Sequence, residues 1–381
     1  MTSPRIAIFG ASGFVGTTLC ERLYFSQEFD FVPIIHSNSG VARLARLPVE
    51  FRSADVLNIE QTRRALEGCD VIVNCMRGDF TAMEKGLQNM ASLAQEMGVR
   101  RLVHLSSTGI YGSQPTPESS TESGRPSPND PYGKMKFRQD QTIFKLDRKG
   151  VSSVLLCPGN ISGPYSSFLL GAIDRVRAGK VVLVDDGQNP TNHVHVNNVV
   201  EGILAAIRTE KGGGKRFFLN ESEPISWKRF YTDLAQLLGI NPSFTHATSQ
   251  EVIEAHRPPK NPSLMNQTRI LLSAEFRRGL FVLPVFKSLN NFAFRQFNRL
   301  PRSVQKKFRD RFTQKTVIHP IPTKPVLRDF YIHEQIKTVR HSPKQAIENL
   351  DLQIIPYSSN LETDRLWIEA FRLHNNPHSP G

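Results

Sequence analysis

The sequence has no run of about 20 apolar residues, so a membrane-spanning helix is not expected. It begins Met-Thr-Ser-Pro-Arg and enters an apolar stretch at once, without the basic start, apolar middle and cleavage site of a secretory signal. Cysteine is scarce: Cys20, Cys69, Cys75 and Cys157 are the 4 in 381 residues, and none falls in CxxC spacing. That excludes a disulfide scaffold and a zinc-ribbon pattern, and suits reduced, buried thiols in a cytoplasmic protein. His193 and His195 alternate on one face of a strand without a carboxylate pair close in sequence, and no metal is expected there. There is no internal repeat, and only the Pro/Ser/Thr/Gly-rich stretch 113–131 is compositionally biased. With 39% hydrophobic and 22% charged residues, wholesale disorder is excluded as well.

What the chain does have is positive charge, unevenly spread. The net charge is +13, and residues 257–315 hold 14 Lys/Arg against 2 Asp/Glu, leaving the rest of the chain almost neutral. Eight phenylalanines (276, 281, 286, 292, 294, 297, 308 and 312) interleave with those cations. Three readings stay open: a helical cap with Phe inward, an amphipathic segment lying peripherally on an anionic membrane, and a protein-binding surface. Nucleic acid is not expected as a partner, because no recognition module accompanies the charge.

The first half alternates strand and helix. Strands are expected at Arg5–Phe9, Val32–His36, Glu50–Arg52, Val71–Asn74, Arg101–Leu105 and Ser153–Cys157, with helices at Thr17–Phe25, Gln61–Glu67, Thr81–Met97 and Tyr132–Lys149. Strands separated by such helices form βαβ units and a parallel sheet. Right-handed crossovers then give an α/β, Rossmann-type doubly wound fold. The expected division is a dinucleotide-binding domain over 1–165 plus about 195–219, and a smaller mixed substrate lobe over 166–194 and 220–381.

Two motifs carry chemistry. Gly10-Ala-Ser12-Gly13-Phe14-Val15-Gly16 stands between the first strand and the first helix. Glycines there allow a tight turn, close approach of a pyrophosphate and close helix–strand packing, with the helix N-terminus facing the phosphates. An acid ending the second strand would bind a ribose 2′-hydroxyl, but the chain reads Ile35-His36-Ser37-Asn38. With Arg43, Arg46 and Arg77 following, His36 and these arginines favour the 2′-phosphate of NADP over NAD. Asp55 and Val56, after the third strand, suit the adenine. The second motif is Ser106-Ser107-Thr108-Gly109-Ile110-Tyr111-Gly112 followed by Tyr132-Gly-Lys-Met-Lys136. Tyr132 and Lys136, at i and i+4, share a helix face. A free phenol titrates near pH ~10, and a neighbouring ammonium lowers that toward the working range. Ser107 can hold a substrate oxygen while the proton moves, which is the equipment for hydride transfer at a carbinol or ketone.

The order of these motifs resembles the extended short-chain dehydrogenase/reductases, the NAD-dependent epimerase/dehydratase superfamily, over residues 5 to about 240 and weakly again near 341–371. The resemblance implies that Ser107, Tyr132 and Lys136 are catalytic. It puts Pro158 beside the nicotinamide and Asn160 on a substrate diphosphate, through the stretch Leu156-Cys-Pro-Gly-Asn160-Ile-Ser-Gly163-Pro164. It also implies a homodimer through the helices Thr81–Met97 and Tyr132–Lys149. Two departures bear on substrate. Thr108-Gly109 replaces the Asp-Glu pair of the dehydratases, and Thr191 replaces an arginine that grips a nucleotide diphosphate. A neutral hydroxyl cannot do the work of a bidentate guanidinium. The leading expectation is a nucleotide-sugar epimerase or reductase. A membrane-associated dehydrogenase of a lipophilic, sterol-like or isoprenoid alcohol competes with it, and a non-enzymatic NAD(P) sensor stands third.

Overall fold

The computed structural model describes residues 3–36, 41–256, 327–371 and 373. The basic segment 257–315 lies outside the described residues. The chain divides into two units, Met1–Val252 with Asp329–Gly381, and Ile253–Arg328; the first contains every residue of the candidate site described below.

In chain order the elements are β1 (Arg5–Phe9), α1 (Phe14–Ser26), β2 (Asp30–Ile35), β3 (Arg52–Ser53), α2 (Ile59–Leu66), β4 (Val71–Asn74), α3 (Phe80–Glu96), β5 (Arg101–Leu105), α4 (Pro131–Asp147), β6 (Ser152–Pro158), β7 (Asn160–Ser162), α5 (Ser167–Arg177), β8 (Val181–Val184), β9 (His193–His195), α6 (Val196–Arg208), β10 (Lys215–Leu219), α7 (Trp227–Leu237), β11 (Phe244–Ala247), α8 (Ser249–His256), α9 (Phe330–Glu334), α10 (Lys344–Leu350) and α11 (Tyr357–Ala370). Seven strands form one sheet in the order β10-β6-β5-β4-β1-β2-β3, every pair parallel.

The strands are apolar without alternation because both sheet faces are covered. Ile6 and Ile8 of β1 point into a core shared with Leu19 of α1 and Ile203 of α6. Ala7 and Phe9 point into a second core with Leu87 of α3 and Ile143 of α4. Pro33 sits inside β2, opposite Ile8 of β1. It is tolerated because β3 pairs only with Ile34 and Ile35, so the strand is an edge up to that point. A third apolar cluster gathers Phe168, Trp227, Tyr357 and Ile368 around β8, which pairs with β11; β7 and β9 form another short pair.

The strand order reverses at β1, whose neighbours are β2 on one side and β4 on the other. In open parallel sheets the crevice beyond the strand ends at such a reversal is where ligands bind. The glycine turn and Ser107 follow the carboxyl ends of β1 and β5, and Pro158 is the last residue of β6.

Candidate active site

The glycine turn is shaped by what its residues lack. Gly10 has φ +78, and a Cβ there would lie 2.8 Å from the backbone of Cys75 and Met76 at the end of β4. A Cβ on Gly16 would stand 2.2 Å from the Gly10 carbonyl oxygen, so helix and turn can touch only without a side chain. The Thr17 hydroxyl donates to the Ala11 carbonyl at 2.8 Å and ties the helix to the turn. Gly13 caps α1 without a side-chain hydrogen bond, and no acidic residue occupies the first turn. The helix N-terminus therefore keeps free N–H groups and its partial positive charge, with Ser12, Gly13 and Phe14 accessible around it and Val15 buried beneath. This cradle fits a pyrophosphate.

Beyond β2, His36 is exposed at the last described position before residue 41. Arg43 is engaged already: it pairs with Glu21 of α1 at 2.8 Å, and its guanidinium lies 4.2 Å from the centre of the Tyr165 ring. Arg46 pairs with the other oxygen of Glu21. Asp55 follows β3 half-buried, its carboxylate accepting from the Leu57 N–H at 3.0 Å. Val56 is buried, and its carbonyl accepts from Asn89 of α3 at 2.8 Å. Arg77 lies on the other side of β1, in the connection from β4 to α3, where its charge acts on Tyr132 and Lys136.

Ser107, Tyr132 and Lys136 come together at the end of β5. Ser107 caps the short turn Thr108–Tyr111, accepting from the Gly109 N–H at 3.0 Å. Helix α4 starts where it does because Asp130 accepts from the Tyr132 and Gly133 N–H groups at 2.9 and 3.0 Å and Pro131 fills the first position. A Cβ on Gly133 would meet the Gly109 carbonyl at 2.5 Å, so the helix start lies directly on the serine turn. A Cβ on Gly109 would lie 3.2 Å from the Ser107 Oγ and 3.8 Å from the Tyr132 ring, so the hydroxyl and the phenol ring flank the same turn. Burial pushes that phenol up, and the Arg77 charge and the nearby Ser107 hydroxyl pull it back. The Lys136 ammonium donates to the Leu105 carbonyl at 2.8 Å and lies 6.0 Å from the Tyr132 ring centre. Burial lowers Lys136 to about 8, opposed by Asp140.

Behind the lysine is an arrangement the motifs did not reveal. Asp140, fully buried one turn further along α4, accepts from Ser106 at 2.6 Å and from Arg216 of β10 at 2.7 Å. The i+4 spacing from Lys136 was a signal for Asp140; nothing in the sequence pointed to Arg216.

On the far side of the crevice, Pro158 ends β6 and is buried. Asn160 in β7 donates to the Thr191 carbonyl at 3.3 Å. The Thr191 hydroxyl is consumed internally, 2.7 Å from His193 Nδ1 and donating to the Ile225 carbonyl at 3.1 Å. Burial lowers His193 to about 3, and His195 caps α6 and meets Asp364 at 3.3 Å. Met83 and Cys157 are buried packing residues.

The structure thus gathers the glycine turn at β1, Asp55 and Val56 at β3, and the serine–tyrosine–lysine set at β5 along one line of strand ends. It separates Arg77 from His36 and Arg43.

Comparison with known proteins agrees with this architecture. The chain is 27% identical over 270 residues to a 3β-hydroxysteroid-dehydrogenase/decarboxylase of Arabidopsis thaliana, covering 61% of each protein, so it spans less than two thirds of that relative. It is 25% identical over 250 residues to a 4-hydroxy-2-methyl-3-oxo-4-farnesyl-3,4-dihydroquinoline-1-oxide ketoreductase of Stigmatella aurantiaca, covering 62% of this chain and 74% of that one. The fold matches a UDP-glucose 4-epimerase of Thermotoga maritima, solved with UDP-glucose, at TM-score 0.56 and 20% identity, covering 64% of this chain and 85% of that one. The family model described as the NAD dependent epimerase/dehydratase family matches residues 6–219, more than half of the chain, and the protein belongs to that family.

Proposed function

We propose that this protein is an NAD(P)-dependent oxidoreductase moving hydride to or from a carbinol or ketone carbon, acting as a nucleotide-sugar epimerase or reductase. The observation that carries the reading is the meeting of Ser107, Tyr132 and Lys136 on the same row of strand ends as an unfilled helix N-terminus. Gly10, Ser12, Gly13, Phe14, Val15 and Gly16 would hold the pyrophosphate, Asp55 and Val56 the adenine end, and Pro158 the nicotinamide end. When bound, the nicotinamide ring is the hydride donor or acceptor. Ser107 Oγ orients the substrate oxygen. Tyr132 Oη passes a proton to that oxygen in reduction and takes it in oxidation. Lys136, fixed by the Leu105 carbonyl, stabilises the phenolate against the burial that opposes it.

NADP is favoured by the missing acid at His36. A 2′-phosphate reaching Arg43 would compete with Glu21 for it. We expect a homodimer through α3 and α4, which light scattering checks. The basic segment 257–315 supplies no part of this reading.

A second reading, a lipophilic alcohol or ketone as substrate, is favoured by Thr191. That side chain is buried and fully bonded, so it offers a diphosphate neither a cation nor a free hydroxyl. The named substrates of the Arabidopsis and Stigmatella relatives, a hydroxysteroid and a farnesylated quinoline, point the same way.

Mass spectrometry of the nucleotide released on denaturation separates the forms: retained NAD fits an epimerase, whereas an empty protein that binds NADPH fits a net reductase. Tyr132→Phe is expected to lower turnover by about 10²- to 10⁴-fold while dinucleotide affinity is preserved. Turnover at the wild-type rate would remove the tyrosine from the mechanism.

A further inference from the structure

We propose that His341 is a positioning residue for hydride transfer, holding the Ser107 turn and the loop that leads from it to Tyr132. The inference rests on the hydride-transfer reading above and adds a residue to its machinery.

The stretch 113–131 joins the two elements that carry Ser107 and Tyr132. Its base closes on itself. The Ser127 N–H donates to the Ile110 carbonyl at 2.9 Å, and the Asn129 side chain accepts from the Ser113 N–H at 3.2 Å and donates to the Ser113 hydroxyl at 2.6 Å. Its middle rests on other elements. Glu122 accepts from the Phe218 N–H of β10 at 2.8 Å. The Ser342 N–H donates to the Ser120 carbonyl at 2.9 Å, and His341 Nδ1 lies 2.7 Å from the Ser119 carbonyl oxygen. A carbonyl only accepts, so Nδ1 carries the proton and donates. Burial lowers His341 to about 4, which keeps the ring neutral.

The same ring bears on the serine turn. Tyr111 is the last residue of the turn that Ser107 caps. Its ring centre is 5.5 Å from that of His341 and 5.3 Å from that of Phe218, and the rings of His341 and Phe218 are 4.7 Å apart. The Tyr111 hydroxyl is buried without a hydrogen-bond partner among the described residues, so the ring is seated by packing rather than by a polar tie. One imidazole thus meets both the turn that carries Ser107 and the loop that delivers Tyr132.

The backbone around His341 is itself fixed. Its N–H donates to Asn192 Oδ1 at 3.0 Å, and its carbonyl accepts from the Asn220 side chain at 2.7 Å. The Asn192 amide also donates to the Val339 carbonyl at 2.7 Å. These bonds hold Asn192 in the left-handed region, at φ +45. The Asn192 carbonyl in turn accepts from the Asn160 N–H at 2.9 Å. Residues 339–342 therefore tie the Ser107 turn to the strand that carries Asn160. They lie outside the residues 6–219 matched to the family. A displacement of about 1 Å at the reacting groups can cost about 10²-fold in rate, so a clamp remote from the chemistry can still govern turnover.

The test uses the full chain with substitutions at this position. His341→Phe keeps a ring against Tyr111 and removes the donor to Ser119. His341→Asn restores a donor where Nδ1 stood. His341→Gln sets its amide one bond further out and replaces the phenylalanine variant if that one does not fold. Turnover is measured on UDP-glucose and on dehydroepiandrosterone, dinucleotide affinity by fluorescence titration, and local opening by hydrogen exchange. His341→Phe is expected to lower kcat by about tenfold and to speed exchange over 108–131. KM, dinucleotide affinity and exchange at the glycine turn should stay within about twofold of wild type. His341→Asn should bring kcat back to within about threefold of wild type. Wild-type kcat in His341→Phe overturns the proposal, and so does a His341→Asn variant as impaired as His341→Phe. A fall in kcat joined by an equal loss of dinucleotide affinity and faster exchange throughout would make His341 a general stabiliser, which also overturns it. A wild-type chain that holds a dinucleotide but turns over neither compound removes those two substrates from the reading, and exchange over 108–131 then decides the proposal. A chain that holds neither dinucleotide brings down the hydride-transfer reading and this inference with it.

Discussion

The two ends of the crevice are made of opposite materials. At the glycine turn the shape comes from side chains that are absent: Gly16 lets helix and turn touch, and no acid fills the first turn of α1. At the tyrosine end the shape comes from buried charge, with Lys136, Asp140 and Arg216 balanced between α4 and β10. A site of backbone is written in consecutive residues. A site of charge is written across the chain: Asp140 and Arg216 are 76 residues apart.

Three experiments would break or sharpen this contrast. The largest effect is expected from Gly16→Ala. The nearest atoms to the added Cβ are backbone, at 2.2 and 2.8 Å, and cannot swing aside. Loss of dinucleotide binding or of the fold, followed by circular dichroism and fluorescence titration, is the expected result; a variant that binds normally would show that the turn can yield. Next comes Asp140→Asn, which leaves Arg216 buried beside a neutral group and should cost about 3 kcal/mol in a urea melt. A loss near zero would mean that the carboxylate is dispensable to the charge balance. The smallest effect is a pH trend with two signs. Lys136 loses its proton near pH 8 in the folded protein and near 10.5 when unfolded. Between those values the unfolded chain binds more protons, so the lysine's contribution to stability rises with pH. Activity in the reductive direction should fall over the same range, as the ammonium beside Tyr132 disappears. Activity and thermal stability that fall together would contradict the assignment.

The same contrast explains what could be read before any coordinates. β1, β4 and β5 lie where the apolar runs Arg5–Phe9, Val71–Asn74 and Arg101–Leu105 predict, because strands buried on both faces leave an unbroken apolar signature. Helix α1 starts at Phe14 rather than Thr17, since Gly13 is its cap and glycines hide a helix start. The third strand is only Arg52–Ser53, later and shorter than the run Glu50–Arg52 suggests, because it pairs with just two residues of β2. The pairs β7–β9 and β8–β11 carry too few residues for a pattern to stand out. Ser107, Tyr132 and Lys136 were legible because their spacing reflects one strand end and one helix face. The occupied state of Arg43 was not, since Glu21 and Tyr165 reach it from distant parts of the chain.

The position of Arg216 on β10 has a consequence for how the protein comes to be made. Strand β10 comes last in the chain among the strands of the main sheet and pairs with β6 at its edge. During synthesis the chain emerges from its N-terminus, while pairings between distant segments form slowly. Lys136, Asp140 and their helix would emerge well before the arginine that neutralises them. Until β10 docks, the half-built sheet holds a carboxylate and an ammonium short of their third partner, and water must stay at that spot. The buried charges around Lys136 are therefore fully balanced only with that one edge strand in place.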